Sequence, residues 1–192
     1  MTVARDADAG AIDRAAGVRV WDRVVRVLHW SLAGSVGMAG ASLIDALCLQ
    51  PLHQPAGYAA LGIVLLRVVW GGVGRGHARF AQFVRGPRVT ARYARLVFAR
   101  REPRTLGHNP LGAWMIVALL LCVIALAISG WLYTTDWFWG SEAVEDVHRQ
   151  LAWSLLALVA LHIGGVIYTS WRHRENLVKA MFDGRKRAGD EH

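Results

Sequence analysis

The sequence predicts an all-α integral membrane protein, a four-helix bundle whose helices run alternately up and down. Of its 192 residues, 54% are apolar and nine are Trp. The apolar residues are concentrated in four runs, each close to the ~20 residues that a bilayer-spanning helix needs; the runs lie near residues 27–48, 58–76, 111–135 and 150–171. Basic residues are found in alternate connections between these runs. This composition excludes a soluble enzyme domain and a disordered chain as the expected class.

The distribution of charge predicts the orientation of the bundle. Twenty of the 22 Lys and Arg residues lie before the first run, between the second and third, or after the fourth. Residues 45–57 and 134–148, in the two other connections, hold no Lys or Arg, and the second of these stretches carries Asp136, Glu142, Glu145 and Asp146. By the positive-inside rule, both termini and the middle connection are cytoplasmic. Because this alternation explains the net charge of +8, we expect no nucleic-acid partner.

The first half of the chain is predicted to hold an N-terminal arm and two helices. Residues 1–19 are expected to form a mobile cytoplasmic arm, without the apolar core of a cleavable signal peptide. The helices are predicted over about residues 24–48 and 57–76. Pro51 and Pro55 mark the short connection between them.

The second half begins with the long basic connection, which is predicted to contain a surface-lying amphipathic helix over Val89 to Arg100. The third and fourth helices are expected over about residues 110–133 and 146–172. The transmembrane domain as a whole is therefore predicted over residues 20–187, with residues 188–192 as a C-terminal tail.

Four histidines lie in or at the edge of the predicted membrane helices, where ionisable side chains are costly and usually functional. His148 and His162 are fourteen residues apart on one helix, within ~40° of the same face and ~21 Å apart along the axis. The alternating topology gives His29 the depth of His162 near the cytoplasm, and gives His53 the depth of His148 near the outer side. Two imidazoles that face each other across a bundle suit axial ligation of a haem iron. The sequence therefore predicts two haem irons, one bound by each pair.

One arginine and three glycines are predicted to contact the haems. Arg67 is fourteen residues after His53, so it shares that face and lies at the depth of the cytoplasmic-side haem, where it could bind a propionate. Its alternative role is to snorkel to the headgroups. Gly57, Gly112 and Gly130 would let a porphyrin approach the backbone, or would serve ordinary helix packing. No catalytic residue is predicted.

Several segments resemble one known family: VWDRVVRVLHW, LHQPAGYAALGIVLLRVVWG, RFAQFVRGP, GHNPLGAWMI, VHRQLAWSLLALVALHIGGV and NLVKAMFDGRKR. From about Val20 to Arg187, the chain is similar to the bacterial and nickel-iron-hydrogenase-type cytochrome b561 family. The resemblance implies a four-helix cytochrome with two haems b in the bacterial cytoplasmic (inner) membrane, which exchanges electrons with quinone. It also implies that the ligands are His29, His53, His148 and His162.

The resemblance leaves the electron donor open, because members of this family serve nickel-iron hydrogenases, other reductases or periplasmic c-type cytochromes, and some act alone. We expect electron transfer in the respiratory chain, as an oxidoreductase component that links a periplasmic redox partner to the quinone pool. The alternatives are an anchor subunit of a hydrogenase and a stand-alone superoxide:quinone oxidoreductase. An acidic outer loop with Trp137 and Trp139 is either a docking surface for a basic partner or an aromatic belt. A homodimer is left open.

Overall fold

The computed structural model of the chain describes residues 18–44, 49–74, 78–103, 105 and 107–186. These residues are mostly helical, which confirms the predicted helical class. Two short strands, β1 and β2, accompany seven α-helices and a 3₁₀ turn at Gln50–Leu52. The elements are β1 (Val18–Arg19), α1 (Arg23–Ile44), α2 (His53–Val73), α3 (Phe80–Phe83), α4 (Pro87–Phe98), α5 (Pro110–Tyr133), α6 (Glu142–Arg172), α7 (Leu177–Asp183) and β2 (Arg185–Lys186).

Three segments of the described chain are long and apolar enough to cross a membrane: Gln50–Val73, Pro110–Tyr133 and Glu142–Arg172. The longest of them, α6, has no fully buried residue, and its side chains Trp153 and Leu161 are 67% and 63% exposed. An apolar helix surface of this extent faces lipid in a membrane protein. The first predicted span, on α1, is not among these three and stays a prediction.

Two of the helices begin one turn earlier than the sequence indicates. The 3₁₀ turn leads directly into α2 at His53, and Pro55 lies in the first turn, where a missing N–H costs little. The last long helix, α6, begins at Glu142, and the acidic side chains of Glu142 and Glu145 lie in its first turn. Carboxylates are favourable there because they face the positive end of the helix dipole.

The four long helices pack in chain order, α1 on α2, α2 on α5 and α5 on α6. The core between them consists of Ala60, Val64, Leu120 and Val123. On α2, the buried positions follow at spacings of three and four residues, which is the pattern of one helix face. This inward face carries small side chains apart from Arg67, so α2 can lie close to its neighbours.

The two ends of the described chain are joined by a short antiparallel strand pair, in which Val18 lies opposite Lys186. Gly184 ends α7 with a positive φ of 80°, and its carbonyl accepts hydrogen bonds from the Val20 and Trp21 amides. We call this strand pair, with the bonds to Gly184, the terminal clasp. The sequence assigned residues 18 and 19 to the mobile arm, because strands of two residues carry no periodicity that a sequence can reveal.

The middle connection lies at the same end of the bundle as the terminal clasp. The ring of Trp21 packs on His108 with 4.4 Å between centroids, and Lys186 Nζ donates to the Thr105 carbonyl at 3.5 Å. Trp30 of α1 stacks on Phe182 of α7 at 4.3 Å. These contacts bring the N-terminal, central and C-terminal connections together.

The predicted amphipathic helix is present as α4, which begins at Pro87. It buries Tyr93, and the following loop buries the side chain of Glu102. The Nε atom of Arg172 lies 3.2 Å from Glu102 Oε1, to which the Tyr168 hydroxyl also donates at 3.4 Å. Burial, with smaller contributions from Glu102 and Tyr168, raises the pKa of Tyr93. This polar cluster fixes the middle connection to the end of α6.

The closest approach of the middle connection to α2 gives a stability prediction. A side chain at Gly71 would overlap the ring of Phe80, whereas the neighbouring Gly72 has open space around its missing Cβ. We expect Gly71→Leu to lower the free energy of unfolding by about 1–3 kcal/mol through overpacking, and Gly72→Leu to leave it unchanged. Thermal unfolding in detergent measures both, and equal losses in the two variants would contradict the Phe80 contact.

Candidate functional site

The structure brings both predicted histidine pairs together. The ring centroids of His29 on α1 and His162 on α6 are 6.4 Å apart. Those of His53 on α2 and His148 on α6 are 6.2 Å apart. The helix α6 therefore supplies one imidazole to each pair, and the two pairs lie at different heights along it.

These separations can be compared with the space that a metal ion needs between two imidazoles. Two metal–nitrogen bonds of about 2 Å, with about 1 Å from each nitrogen to its ring centre, put the centroids about 6 Å apart. Both pairs have this separation. The donor set is also suitable, because neutral imidazole is a common axial ligand of haem iron. The residues present therefore fit a haem between each pair.

Hydrogen bonds orient both rings of the His53–His148 pair, which we call the outer pair after the predicted topology; His29 and His162 are then the inner pair. His53 Nδ1 lies 3.0 Å from the Ala39 carbonyl and 3.1 Å from Ser42 Oγ. His148 Nδ1 lies 2.9 Å from Ser129 Oγ, whose own proton is donated to the Leu126 carbonyl. Because a carbonyl only accepts, these contacts put the proton on Nδ1 and leave the lone pair of Nε2 for a metal.

The two serines form the same motif on different helices. The hydroxyl of Ser42 donates to the Ala39 carbonyl at 2.7 Å, and that of Ser129 donates to the Leu126 carbonyl at 3.0 Å. Each outer imidazole thus meets a hydroxyl whose proton is donated to the carbonyl three residues before the serine. The sequence analysis missed both serines. The available signal was that they are polar residues in apolar helices at the depth of the outer histidines.

The inner pair has a different environment. His29 contacts the neighbouring Trp30 ring edge to face, with centroids 5.2 Å apart. Within the described chain, no hydrogen bond holds either ring nitrogen of His29 or His162. Both imidazoles are half-buried. Their nitrogens therefore remain available to a ligand, but the orientation of the rings is less constrained than in the outer pair.

Arg67 lies on the inward face of α2, as predicted, and only 7% of its surface is exposed. Its Nη1 donates to the Ala78 carbonyl at 3.3 Å, and its guanidinium lies 5.1 Å from the centre of the Phe80 ring. Both contacts are with the middle connection, and Asp22, just before α1, is the carboxylate whose negative charge stabilises the guanidinium cation. Such burial does not fit the alternative of snorkelling, while a contact with haem propionate stays a prediction.

The three predicted glycines have three different surroundings. A Cβ at Gly130 would lie 3.1 Å from Cε1 of His148, so this glycine makes room for the imidazole itself. The amide of Gly112 donates to Asn109 Oδ1 at 2.7 Å, in the N-cap of α5. Gly57 has open space around its missing Cβ. Contact of these glycines with a porphyrin stays a prediction.

The model of the prokaryotic cytochrome b561 family matches residues 20–184. The chain belongs to this family. It is therefore a membrane electron-transfer protein of the haem b class, which confirms the resemblance found in the sequence.

Individual relatives match over nearly the whole chain. A probable Ni/Fe-hydrogenase B-type cytochrome subunit of Rhizobium leguminosarum bv. viciae is 24% identical, over 96% of this chain and 95% of its own length. Proteins of the same description from Rhodobacter capsulatus and Bradyrhizobium diazoefficiens are 24% and 25% identical, over 96% of this chain and 87% and 92% of their own lengths. No solved structure matches the chain significantly.

The serine motif gives a prediction for cofactor retention. Because a hydrogen-bonded partner fixes the ring and raises its basicity, Ser129→Ala should weaken haem binding at the outer pair about 10- to 100-fold. Ser129→Thr keeps the hydroxyl and should retain the haem. Haem transfer to excess apomyoglobin, followed by absorbance, measures this. Ser154→Ala is the matched control, because that hydroxyl bonds only the Gln150 carbonyl on the exposed side of α6. Equal haem loss from the control would refute the role of Ser129.

Proposed function

We propose that this chain conducts electrons across the bacterial inner membrane through two haems b, from a periplasmic nickel-iron hydrogenase to membrane quinone. The observation that carries the proposal is the pair of imidazole sites on α6, each with the separation of two axial ligands. His148 and His162 are ~21 Å apart along the helix. This span is most of the ~30 Å hydrocarbon core of a bilayer, as an electron path across the membrane requires.

The terminal clasp supports a bundle with four crossings. Two chain ends that pair as strands lie on the same side of a membrane, which requires an even number of crossings. Three helices have the length and composition of spans, so α1 supplies the fourth. The positive-inside rule then makes the clasp and the Arg-rich middle connection cytoplasmic, and it makes the loop between α5 and α6 periplasmic.

In this proposal, each bound haem supplies a one-electron redox centre. The protein residues decide what else can happen at the centre. Two histidines from each pair would hold the haem iron and would leave it no coordination position for oxygen or another substrate. The imidazoles would therefore restrict the chain to electron transfer without substrate binding at iron.

The two sites are built unequally. His53 and His148 hydrogen-bond through Nδ1, which makes Nε2 a stronger electron donor and favours the oxidised metal. The inner pair has no such bonds among the described residues. We propose that this asymmetry gives the two haems different potentials, with the outer haem the lower.

The outer surface has the properties of a docking site for a basic partner. Trp137 and Trp139 are 91% and 74% exposed, and the exposed carboxylates of Glu145 and Asp146, which share the single cation of Arg149, follow them at the start of α6. An acidic surface with aromatic side chains attracts and anchors a complementary basic surface. The names of the relatives favour a hydrogenase as this partner.

The number of haems tests the proposed electron path. The purified chain should contain two haems b, measured by the pyridine haemochrome assay against protein concentration. His162→Ala should remove only the inner haem and His53→Ala only the outer one, because each deletes one axial ligand. His173→Ala, outside both pairs, is the matched control. One haem in the wild-type protein, or loss of both from either variant alone, would contradict two independent sites.

The source of electrons tests the proposed partner. The chain co-purified with its organism's nickel-iron hydrogenase should reduce a quinone analogue with hydrogen gas, and the hydrogenase alone should not. Replacing Asp136, Glu142, Glu145 and Asp146 by their amides should reduce association at least tenfold at low salt, because it removes the negative surface. Rapid superoxide-driven quinone reduction by the isolated chain, without hydrogenase binding, would instead support the stand-alone oxidoreductase.

A further inference from the structure

An apolar cleft of about 510 Å³ opens on the side of the bundle between α2, α3 and α5. Its walls include Val68, Phe80, Val117 and Leu121, and every residue that lines it is apolar. The cleft is open to the outside, since Leu121 is 60% exposed. Its volume falls within the range of about 300–1,000 Å³ that small-molecule sites occupy. Because α2 and α5 are candidate spans, this opening faces hydrocarbon.

The chain segment that lines the cleft is followed directly by arginine residues. Val84 lines the cleft, and Arg85 follows it in the chain. The carbonyl of Arg85 accepts the indole N–H of Trp114 at 3.1 Å. Trp114 lies in the second turn of α5, and tryptophan prefers the boundary between hydrocarbon and headgroups. Arg85 and the start of α4 therefore lie at headgroup level, beside the mouth of the cleft.

The helix α4 carries a basic stripe, formed by Arg88, Arg92 and Arg95. These residues lie four and seven positions apart, on one helix face, and all three are exposed. Tyr93, on another face, is buried against the body of the protein. Residues 78–101 contain no Asp or Glu, and no arginine of the stripe pairs with a carboxylate in the described chain. The positive charge of the stripe is thus left for an external anion.

We propose that the cleft and the adjacent arginines bind one anionic phospholipid, with an acyl chain in the cleft and the phosphate at Arg85 and Arg88. Guanidinium groups match the geometry of phosphate oxygens, and basic residues at a membrane surface attract anionic lipid. The site uses both properties of such a lipid, its apolar chain and its negative headgroup. It does not involve the histidine pairs.

Other occupants would use only one half of this site. The isoprenoid chain of a quinone fits an apolar cleft but has no anionic group for the arginines. An acidic soluble protein would bind the basic stripe but would leave the cleft empty. Charge and shape together therefore favour the anionic phospholipid.

Native mass spectrometry of the full chain in detergent, with its haem bound, tests the proposal. Phosphatidylglycerol and phosphatidylcholine with the same acyl chains are the two probes. The wild type should bind one phosphatidylglycerol at least tenfold more tightly than phosphatidylcholine. The triple variant R85Q/R88Q/R92Q should lose this tenfold preference. Ala81→Trp, which fills the cleft, should weaken the binding of both lipids at least tenfold.

The matched control is R23Q/R174Q/K179Q, which removes the same charge from exposed positions outside α4 and should keep the preference. An unchanged haem spectrum verifies the fold of each variant. If Ala81→Trp fails to fold, Val117→Phe takes its place as the variant that fills the cleft. Equal affinity of the wild type for both lipids would overturn the proposal, as would an equal loss in the control. Displacement of the lipid by a soluble quinone at one equivalent would assign the cleft to quinone instead.

Discussion

The architecture depends on imidazoles that meet in pairs inside an apolar bundle. A charged histidine is costly in such a place, whereas a neutral one offers a lone pair that a metal can use. Because α6 carries one member of each pair, a metal bound between the imidazoles of each pair would fix its depth and rotation against α1 and α2. Two serines add direct bonds between neighbouring helices, Ser42 from α1 to His53 on α2 and Ser129 from α5 to His148 on α6. The two histidine sites together therefore involve all four long helices.

Much of this arrangement could be predicted from the sequence, because it depends on regular spacing. Four apolar runs predicted four long helices, and a spacing of fourteen residues on one helix predicted two imidazoles on one face at two depths. Alternating charge predicted which histidines share a height. Helix geometry and the positive-inside rule are enough for these predictions, and the ring distances of 6.4 and 6.2 Å agree with them.

The sequence was less informative where a contact depends on how two helices are rotated against each other. Ser42 and Ser129 bond their own helix backbone whatever surrounds them, so only the packed structure reveals their imidazole neighbours. Likewise, spacing placed Arg67 on the correct face of α2 but could not show that Phe80 covers it. Spacing also placed Gly130 near one end of α5 but could not show that it lies against His148. In each of these cases, the neighbour comes from another element of the chain.

The terminal clasp also bears on how the protein can be rebuilt. Since Val18 and Lys186 lie side by side, a short linker could join the two ends into a continuous chain. New ends could then be opened at Gly140, in the exposed turn between α5 and α6, where a break removes little packing. In such a circular permutant, α6 would be made first and α5 last, so the helix that carries both imidazoles would insert before its partners. Fusions to the original ends, by contrast, would always emerge together on one side.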